Sequence, residues 1–453
     1  MALNIYIPET FKPERLYIID ILFNEFLGLE YNVQVSKNIK DYHIEIDNTN
    51  KLIIEDSFFS KTSETKGYLH QEFIPNKIEY YSSDFSADNN MPVLFGIPEI
   101  HFDSNNVCIC KIDIFSSSFF MLSRWEEFVV KTKDQYQRFP DKLALSQRMN
   151  FHYRPIVNEY CELLWTLLKK NGLSAKRKER KAQLVITHDV DNIIKYKSCY
   201  NYLRTTAKNI IYDKSLKEIK NTVKQYISTL RNYEDDIFYT FDFLMSVSES
   251  VNLKSNFFFI PNIKGETDFR YSIYSPKIKK TITEITKRGH HIGLHGTFES
   301  YNKPQSFKNE FSRFSDIGVN ILHGRQHYLR FENPTTWQLW NENNLRTDST
   351  MSFSNDGGFR CGTCFQYSVF DIIRRKKLQL KESPLIVMEV ALKAKYPSVE
   401  KFYNKCIELA ETTKRYNGQF VLLWHNDNIL SGEWQHLGNK YKQLIKELAA
   451  ICK

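Results

Sequence analysis

Apolar and polar residues alternate along this chain with two periods, and each change of period marks an element. Ile5-Tyr6-Ile7 reads as a short strand. Residues 13–29 carry Leu16, Ile19, Leu22, Phe23 and Phe26 at helical spacing and stop at Gly28. Tyr31-Asn32-Val33-Gln34-Val35, His43-Ile44-Glu45-Ile46 and Leu52-Ile53-Ile54 alternate as half-exposed strands. Residues 113–127 are aromatic and mostly uncharged until Arg124, the pattern of a buried helix, and a second helix is predicted over 155–169. A polar, basic stretch over 170–182 follows and reads as a boundary.

Beyond it the pattern changes. Leu184-Val185-Ile186-Thr187-His188-Asp189-Val190-Asp191 is an apolar run with an acidic tip, as in a buried parallel strand whose C-terminal end opens into a site. Strand alternation puts Asp189 and Asp191 on one face and His188 and Val190 on the other. Residues 193–251 read as a long helical excursion, basic in its first half and rich in Tyr and Phe in its second. Strands are then predicted over 255–260, 291–295, 319–323, 385–390 and 419–424, with an extended stretch over 345–353. Helices are predicted over 276–287, 307–314, 335–342, 399–413 and 434–451. Repeated strand–helix units imply a parallel sheet or barrel with sites at the strand C-termini. Three regions result: a small α/β unit over 1–110, a helical connector and basic linker over 111–181, and the strand–helix region over 182–453.

Composition narrows the partners. The net charge of +9 is spread over the linker and residues 195–224 and accompanies no nucleic-acid-binding module, so no nucleic-acid partner is expected. No window approaches the roughly 18 consecutive apolar residues of a membrane span, and the start lacks a signal-peptide pattern. The 8 cysteines are too sparse for a disulfide framework, so a reducing cytoplasm is expected. Cys108/Cys110 and Cys361/Cys364 would form a structural zinc site only if folding joined the two pairs. The oligomeric state is not legible.

Three strand ends carry candidate chemistry. One presents Asp189 and Asp191. Another presents Gly289-His290-His291-Ile292-Gly293-Leu294-His295 and continues to Glu299. The last presents Leu423-Trp424-His425. A hydrolytic Zn²⁺ site needs anionic and neutral ligands, an open position for water, and nearby groups that move protons. These residue types supply that set.

With these motifs, and with Arg325 in Gly324-Arg325-Gln326-His327-Tyr328, residues from about 181 to 453 resemble the polysaccharide deacetylase (NodB-homology, carbohydrate esterase) family. Thr187-His188-Asp189-Val190-Asp191 resembles its T-F-D-D-G motif, residues 289–295 its G-H-E-I-G-x-H motif, and Leu423-Trp424-His425 its closing L-x-H. The whole chain resembles a divergent subgroup with an extra N-terminal domain and the segment Phe119-Phe120-Met121-Leu122-Ser123-Arg124-Trp125-Glu126-Glu127. The resemblance implies an α/β fold: a distorted (β/α) barrel preceded by a small α/β domain. It implies a metal-dependent hydrolase, with a divalent ion such as Zn²⁺, that removes N- or O-acetyl groups from a carbohydrate or glycan precursor. By position Asp189 is the base, Asp191 and His295 are metal ligands, Arg325 orients the base, and His425 is the general acid.

Two departures leave roles open. The adjacent aspartate pair has become D-V-D, so base and ligand are not assigned between Asp189 and Asp191. The second histidine of the metal pair is missing; Glu299 and His327 are rival third ligands, and His290 and His291 remain as candidates. Arg360, in the small-residue loop 357–363, is a candidate for an anionic group on the substrate, and Trp424 for a substrate contact. The rival functions are a metal-free binding or scaffold protein on this fold and an amidohydrolase acting on a non-sugar C–N bond.

Overall fold

Alternation in the first hundred residues builds a sheet with one buried face. The computed structural model describes residues 3–453 apart from 47–49, 84–88, 104–106, 196–201, 203–215 and 267–269. The first strands are β1 (Leu3–Pro8), β2 (Tyr31–Ser36), β3 (Tyr42–Glu45), β4 (Lys51–Ile54), β5 (Glu79–Tyr81), β6 (Met91–Val93), β7 (Gly96–Phe102) and β8 (Val107–Ile112). Six of them form a mixed sheet in the order β2-β1-β3-β4-β8-β7, while β5 and β6 pair separately. Leu3, Ile5 and Ile7 of β1 and Cys108, Cys110 and Ile112 of β8 are buried. The Cys-x-Cys spacing is therefore strand periodicity, with two thiols on the packed face. Cys361 and Cys364 are buried too, and among the described residues the two pairs do not form a ligand set.

The buried helix expected over 113–127 is broken into helices Ile114–Ser123 and Trp125–Val129 by Arg124, whose φ is 53°. The cause lies far away in sequence. The Nδ2 of Asn333 donates to the carbonyls of Ser123 and Arg124 at 2.9 and 2.8 Å. The Arg124 guanidinium turns back to Glu126 at 2.8 Å and Glu127 at 2.9 Å. Helix 13–29 is found as Lys12–Ile19 followed by wider π-type turns, Asp20–Leu27, closed by left-handed Gly28.

The second sheet holds β9 (Gln183–Val190), β10 (Asn256–Phe259), β11 (His291–Gly296), β12 (His323–Gln326), β13 (Thr347–Asp348), β14 (Tyr367–Asp371), β15 (Lys376–Glu382), β16 (Val387–Met388) and β17 (Gln419–Leu423). Their order is β14-β15-β13-β12-β11-β10-β9-β17-β16. Neighbours are parallel except the β14–β15 hairpin. The sheet is strongly curled. Arg325 of β12 bonds Asp189 of β9 at 2.7 Å, three strands along. On a flat sheet three spacings span about 14 Å, beyond the reach of an arginine. Among the described residues no ladder joins β14 to β16, so the sheet is curled but open and the expected full barrel is not closed by pairing.

Several boundaries differ from the sequence pattern. The strand expected over 319–323 begins only at His323, and the extended 345–353 contributes two residues to the ladder. Residues 385–390 give a two-residue strand, because Glu389 starts helix Glu389–Lys395. The β14–β15 hairpin was not foreseen. Asp371 turns it, its Oδ1 accepting from the N–H groups of Ile373 and Arg374. Helices Pro276–Lys287, Pro304–Asp316, Thr335–Glu342, Val399–Arg415 and Gln435–Ile451 flank the strands. Of the excursion expected over 193–251, helices Leu216–Arg231 and Phe241–Glu249 are described. Its residues 196–201 and 203–215, which include Cys199, lie outside the described residues.

The two sheets share one apolar core. The hairpin is their seam. Tyr17 packs on Phe370 with ring centroids 4.8 Å apart and donates its hydroxyl to Ser368 O, and Arg375 pairs with the buried Glu14 at 2.8 Å.

Candidate active site and metal centre

Parallel strands bring their C-terminal ends to one rim, and the charged tips of four of them meet there. Asp189 and Asp191 come from the end of β9, His295 from β11, Arg325 and His327 from the end of β12, and His425 from the residues after β17. Asp189, Asp191, His295, His327 and His425 line a pocket of about 400 Å³. Strand alternation turns His188 the other way. It is buried against Phe257 and its Nδ1 lies 2.8 Å from the Trp424 carbonyl.

Asp191, His295 and His327 form a cluster whose ligand atoms lie within 4.8 Å of one another. Asp191 Oδ1 stands 3.4 Å from His295 Nε2 and 3.5 Å from His327 Nε2. Donors bound tetrahedrally at zinc distances are about 3.3 Å apart, so the spacing fits a small divalent ion. Asp191 Oδ1 and His295 Nε2 are buried without a hydrogen-bond partner, as atoms reserved for a ligand would be. His295 Nδ1 lies 3.0 Å from the Arg325 carbonyl; donating there leaves the Nε2 lone pair facing the cluster. Two imidazoles and one carboxylate with an open side are the donor set of a catalytic site.

The proton-moving groups flank it. Asp189 Oδ1 accepts from Arg325 Nη1 at 2.7 Å, and its Oδ2 lies 3.6 Å from His295 Nε2. Arg325 also reaches Ser349 O at 2.8 Å and Thr187 Oγ1 at 3.1 Å, which fixes its fork. His425 Nδ1 lies 2.7 Å from Glu389 Oε1, and its Nε2 is 3.9 Å from Asp191 Oδ2. Burial resists charge on His425, but Glu389 and Asp191 outweigh it and hold the imidazole well above its ordinary pKa. His295 is raised for the same reason, burial being outweighed by Asp189 and Asp191. Burial alone would raise Asp191, yet His327 and His295 pull it well below the usual carboxylate range.

Other candidates lie elsewhere. Glu299 does not join the cluster. Its side chain is 42% exposed and pairs with Lys303, four residues on. His290 is held by Ser255 N and Glu249, and His291 is exposed. Arg360 is not available to a substrate anion. It is buried, with its guanidinium 3.0 Å from both Glu127 and Asp141. Trp424 is wholly buried between Phe402 and Tyr441, its indole N–H on the Asn428 carbonyl, and so is core rather than a substrate contact.

The pattern reading missed Glu389, although a lone acid closing Leu385-Ile386-Val387-Met388 was its signal. It also missed Gln135, Tyr136 and Arg138, which line the pocket from the connector. No local pattern carries that information.

Comparison with known proteins adds little about chemistry. Residues 3–173 match a family described as of unknown function, DUF7033. No curated protein matches the chain. A crystal structure from Mycobacterium smegmatis, described provisionally as a polysaccharide deacetylase, is similar over 60% of this chain and 85% of that one, with 16% identity and a TM-score of 0.37. That likeness is too distant to bear on family or activity. No helix among the described residues is long and apolar enough to cross a membrane.

Proposed function

We propose that this protein is a metal-dependent hydrolase that removes acetyl groups, N- or O-linked, from a carbohydrate or glycan precursor. The observation that carries the reading is the joining of the Asp191, His295 and His327 cluster with Asp189 and His425 in one pocket. Asp191, His295 and His327 would hold the ion, and Zn²⁺ suits their nitrogen and oxygen donors. When bound, it would supply Lewis-acid polarisation of an acyl carbonyl and of water.

The chain's own groups do the rest. Asp189, oriented by Arg325, takes the proton of the attacking water. His425, whose Nδ1 is engaged by Glu389, presents Nε2 to the pocket and delivers a proton to the departing amine or alcohol. Base and acid thus both border the cluster, Asp189 Oδ2 lying 3.6 Å from His295 Nε2 and His425 Nε2 3.9 Å from Asp191 Oδ2. The buried Arg325 fork keeps Asp189 from swinging out toward solvent.

The test is acetate release by zinc-loaded protein from N-acetylhexosamines, nucleotide-linked N-acetyl sugars, O-acetylated sugars and chitin fragments. Asp189→Asn and His425→Ala should each lower kcat by about 10²-fold or more while zinc stays bound. Zinc-loaded protein that releases acetate from none of these substrates would overturn the reading.

A further inference from the structure

The third ligand of the cluster sits on an unusual backbone. His327 is followed by two consecutive left-handed residues, Tyr328 at φ 58° and Leu329 at φ 55°. Neither is glycine, asparagine or aspartate, so an L side chain is held where it is disfavoured, immediately beside the cluster. Such a turn persists only when its surroundings hold it.

Phe298, which follows β11, packs edge-on against the Tyr328 ring at 5.5 Å, and further support comes from outside the parallel sheet. Arg138, in the connector, donates from Nη1 to the Tyr328 carbonyl at 2.9 Å. Tyr136 stacks on the Tyr328 ring, with centroids 5.0 Å apart and planes at 26°. Both residues are anchored by Asp134. Its Oδ1 accepts from the backbone N–H groups of Tyr136 at 2.8 Å and Arg138 at 2.9 Å, and its Oδ2 from Arg138 Nε at 2.8 Å. The guanidinium lies 4.8 Å from the Tyr136 ring centre. One tight turn, residues 134–138, thus grips the backbone and the ring of the residue that follows His327.

We propose that Arg138 is a positioning residue for the metal centre: the turn at 134–138 props the left-handed backbone after His327 and so aims that imidazole at Asp191 and His295. The proposal rests on the metal-site reading above. It gives the connector, most of which lies in the segment matched by the DUF7033 family, a role in the chemistry of the second sheet. Without the turn at 134–138 the strand ends would keep Asp191 and His295 in place and hold His327 less firmly.

The test uses the full-length protein and zinc alone as the probe. Arg138→Met keeps the apolar stem and removes the donors; Arg138→Lys restores one donor to the carbonyl. Calorimetric titration should show zinc affinity lowered about tenfold or more in Arg138→Met, the scale of losing an outer-shell support, with partial recovery in Arg138→Lys. A second arm needs no metal. Hydrogen exchange at the turn, where Arg330 N–H bonds the His327 carbonyl, should quicken in metal-free Arg138→Met, with exchange of β9 and β11 unchanged. Equal zinc affinity in wild type and Arg138→Met, or unaltered exchange at residues 327–330, would overturn the proposal. Wild type that binds no zinc would overturn the metal reading instead, and the exchange arm would still decide whether Arg138 props the turn.

Discussion

Replacing Arg325 by methionine removes one charge from a pair in which the arginine side chain is fully buried and that of Asp189 is 3% exposed. The two groups are 2.7 Å apart. At an effective dielectric of about 20 their attraction is roughly 6 kcal/mol, much of it offset by desolvation. Removing one partner strands the other, at a cost of about 3–5 kcal/mol. Unfolding entropy for a chain of this length is about 1 kcal/mol per kelvin, so if it melts as one unit the midpoint should fall by about 3–5 °C. Lys303→Ala is the control, since Lys303 and Glu299 are both more than 40% exposed and their pair is worth at most about 1 kcal/mol. The decisive measurement is a double-mutant cycle by calorimetry. Asp189→Asn combined with Arg325→Met leaves no stranded charge, so the double variant should be more stable than the sum of the single losses by about 2 kcal/mol or more. Additive losses, or a drop below about 1 °C for Arg325→Met, would refute the claim that this pair locks β9 to β12 across the curl of the sheet.

Three further outcomes are expected. His295→Ala should weaken zinc binding by about 100-fold or more in a calorimetric titration, whereas Glu299→Ala should leave it unchanged, because Glu299 pairs with Lys303 away from the cluster. Glu389→Gln should cut kcat by about 10²-fold without loss of zinc, since it disturbs the group that orients His425 and leaves the ligands intact; an equal fall in zinc occupancy would refute that division of labour. Glu310 is buried, and burial pushes its carboxyl up to about 7 despite hydrogen bonds from Thr297. The folded state therefore holds this proton more tightly than the unfolded one, and the stability it lends at low pH is lost as pH rises from about 4.5 to about 7. Glu310→Gln should flatten that slope by about 3 kcal/mol in denaturation midpoints taken across pH 4.5–8, and an unchanged slope would refute the assignment.

Local periodicity was enough for much of this molecule. The 3.6-residue pattern placed helices Pro276–Lys287 and Thr335–Glu342 at their observed bounds, and apolar runs located β9, β10, β11 and β17 to within two residues. Alternation along β9 likewise separated Asp189 and Asp191 from His188, because side-chain direction on a strand follows from the count of residues alone. The sequence by itself also supplied the chemical candidates at the strand ends. It did not choose among them. Glu299 and His327 were equal rivals until the curl of the sheet set His327 beside Asp191 and left Glu299 at the surface with Lys303. Arg360 looked like an anion contact until tertiary packing buried it against Glu127 and Asp141. Arg124 breaks its helix under the pull of Asn333, and Arg138 reaches the turn after His327 across 190 residues. Those decisions belong to the tertiary structure for one reason. A ligand set and a buried ion pair depend on distances between strands, and the twist and curl that fix those distances are collective properties of the packed sheet, absent from any one segment.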